Sequence, residues 1–175
     1  MPIVITGNPG VGKHTTARML ADRLGIALVD INCVAKDSGL AESGEVDTVK
    51  LKKILAGIIP EKSIIVGHLA PYVLDAAEAV IILRKSPYDL IPIYKERGYS
   101  DEKSAENAAS EILGVVAHDA IKQFGAGIRQ IDVTGKSSVE VADAAAGCIA
   151  GDGSDEVDWL GMVAENGDLL RFFAD

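Results

Sequence analysis

The sequence predicts an α/β protein in three layers, with a five-stranded parallel sheet carrying helices on both faces. Two patterns predict it. Short, continuously apolar runs alternate with helical patterns along the chain, as strands buried on both faces require. The junctions between them carry turn or capping residues. Size sets the third bound: 175 residues, 48% apolar and 25% charged, make one globular domain spanning 1–175 with no need of disulfide staples.

The elements follow in order. Ile3-Val4-Ile5 is the first strand; glycines follow, then a helix with Met19, Leu20 and Leu24 on one face, stopped by Gly25. Residues 26–31 read as the second strand, and 32–44 are polar with weak signal. Asp47 caps a helix carrying Val49, Leu51, Ile54 and Leu55. Residues 63–66 and 79–83 are the third and fourth strands. Ser86-Pro87 opens a helix that ends at Gly98, with Pro92 inside it removing one hydrogen bond. Ser100 starts the longest helix, whose buried stripe runs through Ile112, Leu113, Val116, Ala117, Ala120, Ile121 and Phe124. Residues 128–133 are the fifth strand. Ser137-x-x-Glu140 is a capping box opening a small-residue helix through Cys148. After an acidic joint at 151–155, residues 159–173 form an amphipathic segment that docks on the body.

Charge narrows the function. Seventeen Lys+Arg against 26 Asp+Glu leave a net charge of -9, which argues against direct nucleic-acid binding, since that needs a basic face. A basic protein partner or a Mg²⁺-bound nucleotide stays compatible. Cys33 and Cys148 form no C-x-x-C pair and read as small packed residues. His14, His68 and His118 are too scattered for a zinc site, and His118 reads as structural. The start of the chain has no basic, signal-like region, and no apolar run approaches membrane-spanning length. The expectation is a soluble, cytoplasmic protein with no membrane contact.

One motif carries most of the chemistry: Gly7-Asn8-Pro9-Gly10-Val11-Gly12-Lys13-His14-Thr15. It matches G-x-x-x-x-G-K, follows a strand and opens a helix, which is the setting of a phosphate-binding P-loop. Glycines let successive N–H groups turn inward around an anion, and the helix N-terminus adds partial positive charge. Lys13 would reach the outer phosphates. His14 stands where Ser or Thr usually ligates Mg²⁺, and imidazole is a poor ligand for so hard a cation. Thr15 and Thr16 supply hydroxyls one and two residues later.

The Gly-x-Pro-Gly-x-Gly-Lys-x-Thr arrangement resembles adenylate kinases. The remainder is similar to the adenylate kinase isoenzyme 6 type and its archaeal homologues. The likeness runs through Asp30-Ile31-Asn32, Ile65-Val66-Gly67-His68-Leu69-Ala70, Val80-Ile81-Ile82-Leu83-Arg84, Glu96-Arg97-Gly98-Tyr99-Ser100 to Glu106-Asn107, and Asp132-Val133-Thr134-Gly135-Lys136. The resemblance implies a P-loop kinase fold that transfers the γ-phosphoryl of ATP, with Mg²⁺, to AMP or a related nucleoside monophosphate. It implies a monophosphate-binding insert at about 32–60 and a lid at about 97–107. Nucleotide contacts would come from Gly7, Pro9, Gly10, Val11, Gly12, Lys13, His14, Thr15, Thr16, Arg97 and Lys136, the last against the adenine. The family is also tied to small ribosomal subunit assembly through a basic ribosomal protein. A nucleotide-switched assembly ATPase is therefore the alternative reading.

Phosphoryl transfer needs positioned positive charge, and Lys13, Arg84 and Arg97 sit at strand or helix ends where a sheet's C-terminal crevice would gather them. Arg84 also reads as a strand-end charge, and Arg97 as a helix C-terminal one. Lys103 reads as a solvated face. In adenylate kinases an acid at the end of the third strand steadies the Mg²⁺ shell; Val66 stands there instead. Thr15 and Asp30 are the remaining candidate metal contacts, and Asp30 reads equally as a capping acid. His68 would orient water or phosphate, or bond locally.

Overall fold

The structure, a computed structural model, describes residues 1–41, 46–125 and 127–173, so the end of the weak 32–44 stretch and part of the 32–60 insert lie outside the described residues. Five strands, β1 (Ile3–Thr6), β2 (Ala27–Asp30), β3 (Ser63–Val66), β4 (Ala79–Arg84) and β5 (Ile128–Asp132), form one sheet in the order β2-β3-β1-β4-β5. All four pairings are parallel, with Asp30 opposite Val66, Thr6 opposite Ile82 and Arg84 opposite Asp132. The carboxyl ends of the strands therefore share one edge, and the order reverses at β1, whose end leads into the glycine loop. In such sheets that crevice collects ligands.

Strand alternation sorts the core into two layers. Ile3, Ile5, Ile64, Val66, Ile81, Leu83 and Ile131 pack one face against α1 (Lys13–Leu24), α5 (Pro87–Glu96) and α8 (Ser138–Ala150). Val4, Ile65, Val80 and Ile82 pack the other against α2 (Ile31–Asp37), α3 (Thr48–Ile58), α4 (Ala70–Val73) and α7 (Val115–Phe124). Each fully buried Leu or Ile contributes about 1.5–3 kcal/mol. A third, smaller cluster joins Ala108 and Ile112 of α6 (Asp101–Ile112) to Trp159 and Val163 of α9 (Trp159–Glu165) and Phe172 of α10 (Leu169–Phe173). The C-terminal segment thus docks as expected, as two short helices on α6. Its approach also covers the edge of β5, where the Asp155 amide donates to the Gln130 carbonyl at 2.8 Å.

Several boundaries follow caps read from the sequence. Asp47 accepts from the Lys50 amide, and Ser137 and Glu140 complete the capping box. Elsewhere tertiary context overrides pattern. The weak stretch after β2 opens with α2, because the Asp30 carboxylate caps the amides of Asn32 and Cys33. Cys33 is consequently exposed rather than packed, whereas Cys148 is buried. The single long helix expected from residue 100 is two, α6 and α7, hinged at Gly114 with φ 66°. The break turns Leu113 and Ile121 out of the expected stripe, to 57% and 50% exposure. His118 is exposed as well.

Gly114 packs beneath Arg84, where an added Cβ would stand 3.6 Å from the guanidinium, an ordinary contact. A Gly114→Ala substitution is therefore expected to cost only the left-handed backbone penalty, about 1–2 kcal/mol. An unfolding free energy lowered by that amount at unchanged m-value, measured by denaturant titration, checks it.

Candidate functional site

The loop from Gly7 to Gly12 is shaped by contacts only glycine permits. Gly7 has φ 143°, and a Cβ there would meet the Leu83 carbonyl oxygen at 2.5 Å. Gly12 caps α1 with φ 90° and no side-chain hydrogen bond, so the first amides of the helix are left for an anion. The Thr16 hydroxyl is committed to the Gly12 carbonyl at 3.2 Å, whereas Thr15 is exposed towards the cavity.

Lys13 is only 5% exposed, and its ammonium donates to the Asn8 carbonyl at 3.1 Å. Burial, and then Arg97, lower its pKa to about 8, against a smaller opposing pull from Asp30. A dry cation beside open amides is what a phosphate group would neutralise.

These groups line one cavity of about 560 Å³. The loop supplies one wall with Lys13, His14 and Thr15. The corner between α5 and α6 supplies a second with Arg97, Tyr99, Lys103, Asn107 and Ser110, and a third carries Asn32, His68, Tyr72, Val115 and Val116. Arg97 is thus brought to the cavity that holds Lys13. So is Lys103, whose ammonium lies 4.1 Å above the Tyr99 ring rather than on a merely solvated face. A second hollow of about 610 Å³ shares Asn32 and His68 with the first and adds Ala35, Lys36, Ala41 and Val46.

Asp30 fills the capping role read for it, and its second oxygen meets a histidine. Oδ1 caps α2, accepting from the amides of Asn32 at 2.9 Å and Cys33 at 3.4 Å, while Oδ2 lies 3.2 Å from His14 Nε2. Burial lowers the pKa of His14 in spite of Asp30, and burial with Lys13 and His14 nearby lowers that of His68. Both shifts favour the neutral imidazole. Val66 is buried in the core and offers nothing to a metal. Among the described residues no three His, Cys, Asp or Glu side chains gather into a metal cage. A lone carboxylate suits Mg²⁺, which keeps much of its water and is held through few protein ligands.

Arg84 is not among the residues lining the cavity. Its side chain is 5% exposed, its Nε donates to Glu111 Oε1 at 2.8 Å, and its terminal nitrogens donate to Gln130 Oε1 and the Glu111 carbonyl. That is a correction to its reading as a phosphate cation, made by the buried acid that holds it. Lys136 lies on the other side of the loop, lining a hollow of about 90 Å³ with Val11, Gly12 and Thr16. Its ammonium donates to the Asp132 carbonyl at 2.6 Å. Sequence reasoning passed over Asn8, Tyr99, Asn107 and Glu111. For Glu111 a signal existed: it stands three residues after Ala108 and seven after Ser104, on the buried face of α6.

Known proteins resemble this chain in sequence and in fold. A family model described as "AAA domain" matches residues 3–114. A protein of Sulfurisphaera tokodaii named "Putative adenylate kinase" is 34% identical, covering 97% of this chain and 91% of its own length. One of the same name from Pyrococcus furiosus is 36% identical over 82% and 81% of the two chains. The solved shikimate kinase of Bacteroides thetaiotaomicron superposes with a TM-score of 0.58 over 87% of this chain and 99% of its own, at 16% identity, a likeness of fold. No helix among the described residues is long and apolar enough to cross a membrane.

Two outcomes are expected from the charges. Because Lys13 loses its proton near pH 8 in the free protein and a bound phosphate would hold that proton, ATP affinity should be flat below that pH. It should fall as pH rises through it, with proton uptake on binding. Calorimetry in buffers of differing ionisation enthalpy measures both. Arg84→Ala should destabilise the fold by about 3–5 kcal/mol by stranding Glu111, whereas exposed Arg97→Ala should leave the unfolding midpoint unchanged. Denaturant titration of the two variants separates these roles.

Proposed function

The chain belongs to the AAA-domain, P-loop kinase family and groups with these "Putative adenylate kinase" relatives; on that premise we propose that it transfers the γ-phosphoryl of Mg-ATP to a nucleoside monophosphate, AMP before others. One observation carries the reading. Buried Lys13 and exposed Arg97 line one cavity, and a second hollow opens beside it at Asn32 and His68. The first cavity has the size of a small-ligand site, and the second would seat the acceptor with Lys36 near its phosphate.

The amides of Gly10, Gly12 and Lys13 would hold the β- and γ-phosphates, and Lys13 would offset charge as it shifts towards the leaving ADP. An acceptor phosphate oxygen attacks the γ-phosphorus, the bond to the β-phosphate oxygen breaks, and ADP departs. Arg97, with Lys103 behind it, would act from the 97–107 corner, the stretch that would close over ATP. Thr15 and Asp30 would hold the hydration shell of Mg²⁺, which when bound supplies further charge neutralisation. Lys136 would rest against the adenine.

A second reading, a slow ATPase that switches the binding of a basic small-subunit ribosomal protein, is favoured by the apolar Val66 at the end of β3. With no acid there, Asp30 would be the one carboxylate to steady the metal beside the Thr15 hydroxyl. A coupled assay of ADP formation from Mg-ATP distinguishes the two. Stimulation by AMP supports the kinase, and a rate indifferent to every monophosphate supports the ATPase.

Under either reading, Lys13→Ala is expected to keep the circular dichroism of the parent while kcat falls by about 100-fold or more. Turnover at the parent rate would remove the loop from the chemistry.

A further inference from the structure

Glu111 is a buried carboxylate that phosphoryl transfer does not use. Its side chain is 1% exposed, and it accepts four hydrogen bonds. Oε1 takes Arg84 Nε at 2.8 Å, the Trp159 indole N–H at 3.0 Å and the Lys85 amide at 3.1 Å. These bonds would be enough to account for a structural ion pair. Oε2 does something else: it is aimed at the glycine loop and accepts from Asn8 Nδ2 at 2.7 Å. The preceding residue, Ser110, donates its hydroxyl to Asn8 Oδ1 at 3.1 Å. Consecutive residues of α6 therefore grip both ends of one loop amide, and an acceptor-only carboxylate dictates which way that amide points. The carbonyl of the same asparagine receives the Lys13 ammonium.

We propose that Glu111 is a positioning residue of the phosphate loop, acting through Asn8 to fix the loop and the resting place of Lys13 before nucleotide arrives. A loop with glycine at positions 7, 10 and 12 has much backbone freedom to lose on ordering. The clamp removes that freedom in the free protein, so the amides would meet a phosphate already arranged. The rate consequence rests on the kinase reading above; the ordering of the loop does not.

Glu111→Gln would strand the Arg84 charge in the interior and confuse folding with function. Asn8→Ala is the milder variant, because Arg84, Lys85 and Trp159 keep their bonds to Oε1 and the ion pair stays intact, while Oε2 alone loses its donor. In the nucleotide-free protein, hydrogen exchange at the amides of Gly10 to Lys13 is expected to quicken on the order of tenfold or more, with the amides of β4 unchanged. In the active enzyme, kcat should fall on the order of 10- to 100-fold while the KM for ATP moves by less than about threefold, because alignment is lost rather than binding. A purely structural Glu111 predicts neither effect. Loop exchange equal to that of the parent overturns the proposal, and so does a kcat within about twofold of the parent's. If no acceptor supports turnover in the parent, the kinase reading fails while the exchange measurement still decides the clamp.

Discussion

Everything around the phosphate loop is tied to one buried negative charge. A carboxylate in the interior is costly unless it is paired and its remaining lone pairs are satisfied. Glu111 meets both conditions with donors from three parts of the chain: Asn8 of the loop, Arg84 and Lys85 at the end of β4, and Trp159 of α9. It also stands at the C-terminal end of α6, where the helix dipole disfavours a negative charge. The Arg84 guanidinium answers that too, donating to the Glu111 carbonyl at 2.8 Å. Removing any of these donors leaves the others facing a less balanced charge, so the contacts stand or fall together.

The same logic governs the carboxyl edge of the sheet. β1, β2 and β4 end in Thr6, Asp30 and Arg84, and the side chain of each is engaged by another part of the chain. The Thr6 hydroxyl donates to the Gly67 carbonyl at 2.9 Å, pinning the turn after β3 to the start of the loop. Asp30 caps a helix with one oxygen and faces His14 with the other. Arg84 serves the interior, so the positive charge on the cavity side comes from Lys13, Arg97 and Lys103. Two of these stand on the corner between α5 and α6, which is braced by the Tyr94 ring stacked on Tyr99 and by the Tyr94 hydroxyl donating to the Pro9 carbonyl at 2.8 Å.

What the sequence made legible were features written locally. Apolar runs located all five strands, the glycine spacing located the loop, and Asp47 and Ser137 announced the helices they cap. What it hid depended on partners distant in the chain. Arg84 reads as a phosphate cation until Glu111, 27 residues away, is seen to claim it. Asn8 reads as a variable loop position until α6 is folded against it, 103 residues on. The missed break at Gly114 has a different cause: apolar residues recur at helical spacing on both sides of it, and periodicity alone does not register a left-handed hinge. Cys33 was misplaced because α2, which turns it outward, depends on the Asp30 cap rather than on any apolar pattern.

Desolvation links this buried scaffold to the chemistry it supports. Lys13 is kept dry by the loop and by the groups packed around it, and dryness is what lowers its pKa to about 8. A cation held in low dielectric interacts more strongly with an arriving phosphate than a solvated one would. It also costs stability while no phosphate is present, since burial disfavours the charged form. The fold tolerates that cost because the structure beneath the loop is held by a satisfied ion pair and two apolar layers rather than by the lysine itself. The glycine loop can then keep its amides and its ammonium unsatisfied by other side-chain charges, and that open positive potential is what the proposed polyphosphate ligand would complete.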